Sequence, residues 1–397
     1  TLLLFTIGLK LQLRSLAAPQ VWGVATLHMG LVTAMICGLL LLLGTLGLPL
    51  LAELDLRTAL LIGFALSFSS TVFAVKILDQ LGATSTRHGT LSIGVLIIQD
   101  IAAVAFLAAS TGKVPSVWAI ALLALIPLRH VLGRVLTLSG HGELLILFGI
   151  VSALGGADLF ELAGMKGDLG ALAIGMLLAN HPKANELAKA LLGFKDLFLI
   201  GFFLSVGMTV LPSWSEILIA VLLIVILPLK VAIYFGLFAA FKLRTGTAWR
   251  ASLNLANYSE FGLIVGTIAV ASGWLPEKWL AVFAIALSLS FIGAAPLMSI
   301  RDRIYNHWRP LLKRFERPGR IAGEENLDFG PAKVAIFGMG RIGTSVYDAL
   351  HREQGNPLVG IDINARVVAQ HQAEGRKVMF GDPTNPDFWS RVEECPK

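Results

Sequence analysis

One pattern recurs along this chain: apolar stretches near the ~20 residues that a helix needs to cross a bilayer, set apart by short polar turns. Water is absent from the hydrocarbon layer, so such stretches fold as helices that satisfy their own backbone amides and carbonyls. Eleven spans are read, at 1–9, 21–48, 57–80, 88–111, 116–137, 142–162, 168–180, 191–211, 214–241, 248–272 and 275–299. The seventh is short, which predicts a kinked or broken helix. Of the 397 residues 55% are hydrophobic and only 15% charged, against about 25% charged in soluble domains. The chain begins at Thr1 inside an apolar run rather than at a Met, and a preceding segment is expected. Cys37 and Cys395 have no zinc or redox spacing between them, so neither a disulfide nor a thiolate metal site is expected.

Charge at the span ends sets orientation. Between Arg301 and Arg320 lie seven Lys/Arg and two acids, which the positive-inside rule assigns to the cytoplasm. Counting back from there leaves only Arg57, Lys113, Lys166 and Lys278 outside, and places the others, from Lys10 and Arg14 to Arg250, inside. The bases flank spans, so the lipid bilayer accounts for the basic balance and no nucleic-acid partner is expected.

Spans three and ten then run in opposite directions, and each carries polar residues in its middle: "LSFSSTVF" at 66–73 and "NLANYSEFG" at 254–262. Such a pair is the mark of inverted repeats whose interrupted helices meet near the midplane and make an ion site. Two unrelated helices packed through Ser and Asn hydrogen bonds is the other reading.

Span four holds "GVLIIQDIAAV", with Asp100 about halfway along it and too short to reach the interface. A carboxylate there costs at least about 2.5 kcal/mol on insertion scales, so a functional role is the default expectation. Lys230 in "VILPLKVAIYF" and Glu260 in span ten are the candidate partners within the membrane. A lysine that neutralises Asp100 until a cation or proton displaces it is the minimum chemistry of exchange. Gln99 offers an amide oxygen but no titratable group. Glu260 either carries ions or neutralises a broken helix end. His28, Asp158, Glu161 and Lys166 are read as interfacial.

From Lys333 the pattern changes to a strand, the run Gly338-Met339-Gly340-Arg341-Ile342-Gly343, a helix to about Glu353, a second strand ending at Asp362 and a third within "KVMFGD". A G-x-G-x-x-G between strand and helix, with an acid about 20 residues on, is a dinucleotide-binding fingerprint. Its glycines let the backbone approach a pyrophosphate, Arg341 adds charge, and Asp362 can bond a ribose hydroxyl. An assembly surface without nucleotide is the other reading. The expected domains are a transmembrane unit at 1–299, a basic cytoplasmic linker at 300–331 and a nucleotide-binding unit at 332–397.

Taken together, "SFSSTVF", "LIIQDIAAV", "GFFLSVGM", "YSEFGLIV" and "VAIFGMGRIG" resemble the Kef family of glutathione-regulated potassium-efflux proteins, within the monovalent cation:proton antiporter-2 group. The resemblance implies an α-helical membrane protein with a sodium/proton-antiporter-like inverted-repeat fold of crossed broken helices, followed by a partial Rossmann-like regulatory domain of the kind that regulates potassium conductance. It further implies a homodimer in the bacterial inner membrane with its C-terminal domain in the cytoplasm, and elevator-like exchange of K+ or Na+ for protons. AMP or NAD(H) would be the regulatory nucleotide, and glutathione or an ancillary subunit a further partner. On this resemblance Asp100 is the ion-binding acid, Gln99 its neighbour, Thr71 and Glu260 the polar centres of the crossing helices, and Lys230 the lysine paired with the acid. Gly338, Gly340, Arg341, Gly343 and Asp362 are the nucleotide contacts. Two departures stand out: Lys10 replaces an acid usual after "IGL", and "HPKANELAKALLGFKD" is more basic than the regulatory loop of glutathione-gated members, whose glutathione site would fall beyond Lys397.

A potassium/proton antiporter with one titrating acid, hence one-for-one exchange, is the leading expectation, and no enzymatic activity is expected. A sodium/proton antiporter is the nearest alternative. A ligand-gated potassium channel lacks a Thr-Val-Gly-Tyr-Gly-like filter, and a fused dehydrogenase shows no acid–base set after the fingerprint.

Overall fold

The computed structural model describes the chain except residues 1, 11–17, 48–49, 85, 111–124, 164–166, 192, 194–200, 202–203, 205–207, 209–211, 318–326, 355–356, 385 and 394–397. The expected span at 191–211, with its "GFFLSVGM" segment, lies largely outside the described residues, as do the first part of the span at 116–137 and Arg14, Lys113, Lys166, Lys195 and Cys395.

The helices are α1 (Leu2–Lys10), α2 (Pro19–Thr45), α3 (Leu56–Ser67), α4 (Thr71–Gln80), α5 (Arg87–Ser110), α6 (Leu125–Leu138), α7 (Glu143–Leu162), α8 (Gly167–Leu178), α9 (Trp214–Ala240), α10 (Thr245–Asn254), α11 (Glu260–Ala271) and α12 (Lys278–Leu312). Among the described residues, six stretches are long and apolar enough to cross a membrane: Pro19–Thr45, Leu56–Leu78, Arg87–Leu107, Glu143–Leu162, Trp214–Ala240 and Lys278–Phe315. The seventh expected span is the 12-residue α8, short as its sequence requires.

Among the described residues two large apolar cores hold most of these helices, and a small cluster of Val231, Leu253, Ala256 and Met298 lies apart from both. Val24, Leu96, Phe238, Phe261 and Trp279 belong to the larger one, built from α2 to α5 and α9 to α12. Phe5, Leu136, Ala153, Ile174 and Leu187 belong to the smaller, built from α1, α6, α7, α8 and the helical segment at 184–191. Leu172 of α8 packs against the larger core. Small residues let the backbones close up, as in membrane helix pairs generally. A side chain on Gly170 would run into the Gly156 carbonyl of α7, and one on Gly262 into the Ala65 carbonyl of α3.

Spans three and ten are both interrupted. α3 stops at Ser67, and α4 starts at Thr71 with Ser70 at its cap, where the Ser70 Oγ accepts from the Phe73 amide at 3.3 Å. α10 stops at Asn254, and α11 starts at Glu260 with the Ser259 Oγ accepting from the Phe261 amide at 3.2 Å. Serine side chains compete with the helix for backbone partners, and so terminate helices where hydrocarbon alone would prolong them.

The last membrane helix, α12, is continuous for 35 residues and passes without a break through position 300, where the sequence placed the start of a linker. Its amphipathic end replaces the all-round apolar pattern of its first part. Beyond it, β1 (Val334–Phe337), α13 (Arg341–Gln354), β2 (Leu358–Asp362), α14 (Ala365–Ala373), β3 (Val378–Phe380) and α15 (Pro386–Glu393) form a parallel sheet in the order β1-β2-β3. Val334 pairs with Leu358 and Gly360 with Val378, which brings the β1–α13 turn beside the end of β2.

Candidate functional site

The two interruptions touch each other. The Ser70 amide donates to Asn257 Oδ1 at 2.7 Å, the Ser70 hydroxyl to Glu260 Oε2 at 2.9 Å, and the Ser69 hydroxyl to the Leu255 carbonyl at 3.0 Å. Four half-helix ends therefore converge: the N-termini of α4 and α11 and the C-termini of α3 and α10. Unsatisfied amides make the first two positive and unsatisfied carbonyls make the others negative.

The intramembrane charges sort themselves by these ends. Thr71, the first residue of α4, donates its hydroxyl to Asp100 Oδ2 at 2.9 Å, and Asp100 is 1% exposed. Glu260 is the first residue of α11, so each acid sits at a positive helix end. The Lys230 ammonium donates to the carbonyls of Phe68 at 2.7 Å, Asn257 at 2.9 Å and Leu66 at 3.3 Å, and lies 5.0 Å over the Tyr258 ring. These bonds give Lys230, expected as the partner of Asp100, a second part: the lysine neutralises the carbonyl ends of α3 and α10. The reason is electrostatic, because freed carbonyls buried without a cation or donor are costly.

Gln99, the expected neighbour of Asp100, also reaches the interruption of span three. Its Oε1 accepts from the Ser69 amide at 3.0 Å, and its Nε2 donates to the Tyr234 hydroxyl at 2.8 Å and, at 3.4 Å, to the Ser67 carbonyl. The amide thus clamps the unwound segment of span three. Tyr234 is completed by a contact of 3.2 Å to the Ser69 hydroxyl and by stacking on His28, with ring centroids 3.3 Å apart. His28, read from sequence as interfacial, is fully buried in α2. Apolar neighbours one turn either side of it face the core, and the ring follows them inward.

Sequence reasoning placed Asp100, Thr71, Glu260 and Lys230 around one crossing, and the structure brings them there. It missed Ser69, Ser70 and Asn257 as individual partners, although all three lie in the polar interruptions that signalled the crossing. Tyr234 had no signal beyond standing one turn after Lys230. Asp100 with the Thr71 hydroxyl oxygen is a hard-oxygen pair suited to a proton or an alkali cation. Among the described residues no cluster of three His, Cys, Asp or Glu is grouped as a metal would need.

In the sheet domain, Gly338 has φ +87°, which only glycine adopts without strain. A side chain on Gly343 would strike the Gly338 carbonyl oxygen, whereas nothing lies within 4 Å of where one on Gly340 would stand. That open space beside the start of α13 suits a pyrophosphate, with exposed Arg341 at its rim. Asp362 Oδ2 accepts from the Met339 amide at 2.7 Å and Oδ1 from the Asn364 amide at 2.8 Å; each carboxylate oxygen keeps a lone pair for a ribose hydroxyl. The His371 ring reaches the Met339 carbonyl through Nε2 at 2.9 Å and Arg376 through Nδ1 at 3.0 Å. Arg376 is bidentate on Asp348 at 2.8 and 3.0 Å, and this hydrogen bonding holds the Asp348 carboxyl below the usual range.

Residues 1–299 match the family described as "Sodium/hydrogen exchanger, transmembrane", and residues 334–393 match the TrkA-N domain. The chain is 29% identical over 420 residues to the KefB protein of Alkalimonas amylolytica, covering 97% of this chain and 60% of that one. It is also 29% identical, over 413 residues, to a glutathione-regulated potassium-efflux system protein, KefC, of Enterobacter sp. strain 638, and 29% over 423 residues to that of Cronobacter sakazakii, each match covering 98% of this chain and 63% of the relative. The chain thus spans about three fifths of the length of the curated relatives it matches, and those relatives are transport proteins rather than enzymes. By its helical part this chain belongs to the sodium/hydrogen exchanger transmembrane family, it is similar to Kef-type proteins along nearly its whole length, and a match to the TrkA-N domain follows its last membrane helix.

Proposed function

We propose that this protein exchanges potassium for protons, the two competing for Asp100, under control of a nucleotide held at Gly338–Gly343 and Asp362. The observation that carries the proposal is the Thr71–Asp100 hydrogen bond of 2.9 Å at the crossing of two interrupted helices. The acid stands there at a positive helix end with oxygen ligands beside it, while Lys230 is engaged elsewhere. Asp100 is the one titrating acid beside a neutral Gln99, and a cation or a proton arriving there carries the same single charge. That supports one-for-one, electroneutral exchange.

Alternating access by an elevator-like movement fits the separation into two apolar cores, and inverted repeats fit the two interrupted spans of opposite direction. Potassium is taken from the names of the KefC relatives; sodium is the second reading, favoured by the family that the helical part matches. The open space at Gly340 suits either AMP or NAD(H). A homodimer in the bacterial inner membrane, a cytoplasmic nucleotide domain, and glutathione or an ancillary subunit as further partners belong to the same reading.

The test is dissipation of a pH gradient in proteoliposomes with sodium, potassium and rubidium compared, with and without AMP or NAD. Asp100→Asn should abolish exchange while the protein still inserts and melts normally. Full activity in that variant would end the proposal, and single-channel currents far above carrier rates would replace it with a channel.

A further inference from the structure

The end of α12 does not project straight away from the membrane. Thirty-five residues at about 1.5 Å each exceed the ~30 Å hydrocarbon layer by some 20 Å, so the part after about residue 298 leaves it. Yet the Phe315 ring, in the 3-10 turn Lys313–Phe315, packs edge-on against Phe235 with centroids 6.0 Å apart, and Phe235 lies inside α9, more than one turn before its end. Glu316 Oε1 accepts from the Thr245 amide at the start of α10 at 3.3 Å. The Trp249 ring nitrogen donates to the Arg301 carbonyl at 3.0 Å, and Tyr305 is buried. The segment therefore leans over the ends of α9 and α10, at the level where hydrocarbon gives way to headgroups.

Its charges are unbalanced on the outer side. Asp302 is taken by Arg250 at 3.0 Å and Arg301 at 3.5 Å, and Glu316 is engaged at α10. Arg303, Lys313, Arg314 and Arg317 are exposed, and among the described residues no ion pair holds them. Trp308, 51% exposed, projects from another side of the same helix, about 140° around from Arg303, and is of the aromatic type that settles at a membrane–water interface.

We propose that this segment binds anionic phospholipid headgroups of the leaflet it meets. The four bases engage the phosphates, Trp308 enters the acyl boundary, and the junction between the membrane helices and the sheet domain is held against the bilayer. Charge complementarity selects an anionic lipid over a zwitterionic one.

The test is native mass spectrometry of the full chain released from bilayers of phosphatidylglycerol and phosphatidylcholine. The unaltered protein should retain phosphatidylglycerol preferentially, and high salt during equilibration should remove that preference. The combined variant Arg303→Gln, Lys313→Gln, Arg314→Gln, Arg317→Gln should retain it at least about fivefold less, with an unchanged melting temperature in neutral detergent. If that variant fails to fold, the pair Arg314→Gln, Arg317→Gln should give a smaller loss in the same direction. Equal retention by folded variant and unaltered protein, or a preference indifferent to salt, would overturn the proposal. Inorganic phosphate displacing the lipid at equal concentration would overturn it too, by revealing a site for free phosphate. None of these readouts depends on ion exchange.

Discussion

The Lys230 ammonium donates to the Phe68 carbonyl at 2.7 Å, across a break in a helix that it does not belong to. With its bonds to Asn257 and Leu66 it ties the carbonyl ends of two interrupted spans to α9. Lys230→Met keeps the aliphatic stem and removes the charge, leaving three buried carbonyls short of a donor. At about 1–3 kcal/mol for each group left unsatisfied, the variant should lose several kcal/mol of stability. The pH midpoint of whatever exchange survives should stay where it is. Thermal unfolding in detergent and a pH profile in proteoliposomes read the two effects apart; a displaced midpoint with normal melting would restore the lysine as a partner of Asp100.

Thr71 is the closest test of the cation side. Thr71→Val preserves shape and removes the hydroxyl that donates to Asp100 at 2.9 Å. A hydrogen bond to a charged group is worth about 1.5–3 kcal/mol, so the potassium concentration for half-maximal exchange should rise by about tenfold or more. Thr71→Ser should restore most of it. Initial rates against potassium at fixed pH decide the matter.

The crossing was legible in sequence because serines, asparagines and acids inside otherwise apolar spans have few reasons to be there. "LSFSSTVF", "QDIAAV" and "NYSEFG" marked all three walls of the site. What the sequence did not convey was the pairing. Four helix ends and three charges allow several neutral arrangements, and which acid or carbonyl meets Lys230 depends on the depth at which α9 crosses the breaks. His28 was misplaced for a similar reason. A histidine near a span end reads as interfacial, and only the packing of α2 against Tyr234 draws it inside. The sheet domain was easier, because its signal is local: strand, glycine turn and helix follow one another, and the acid expected at 362 does close on the turn through Met339.

The glycine turn yields its own prediction. Gly343→Ala would drive a methyl into the Gly338 carbonyl oxygen, so the turn must open and the amides aimed at a phosphate must diverge. Nucleotide affinity should fall by at least about tenfold, or 1.4 kcal/mol, as measured by calorimetry with AMP and NAD on the full chain. Asp362→Asn should weaken binding less, because an amide oxygen still accepts from the Met339 amide while the charge toward a ribose hydroxyl is gone.

Acid should loosen the same turn. Hydrogen bonds from Arg376 hold the Asp348 carboxyl below its usual range, and those from Gln370 and Arg376 do so for Glu374. Folded-state values depressed in this way stabilise the network fully above the unfolded value, about 3.9 for Asp and 4.3 for Glu. That stabilisation is lost as pH falls through the lowered folded values. Arg376 also reaches the His371 ring, whose other nitrogen contacts the Met339 carbonyl, so loss of the ion network is transmitted to the fingerprint. With the histidine separately accounted for by a His371→Gln control, nucleotide affinity should hold steady down to about pH 5 and fall below about pH 4. Arg376→Leu should lower affinity at neutral pH and flatten that acid limb. An acid limb unchanged in Arg376→Leu would mean that the turn is not held through this network.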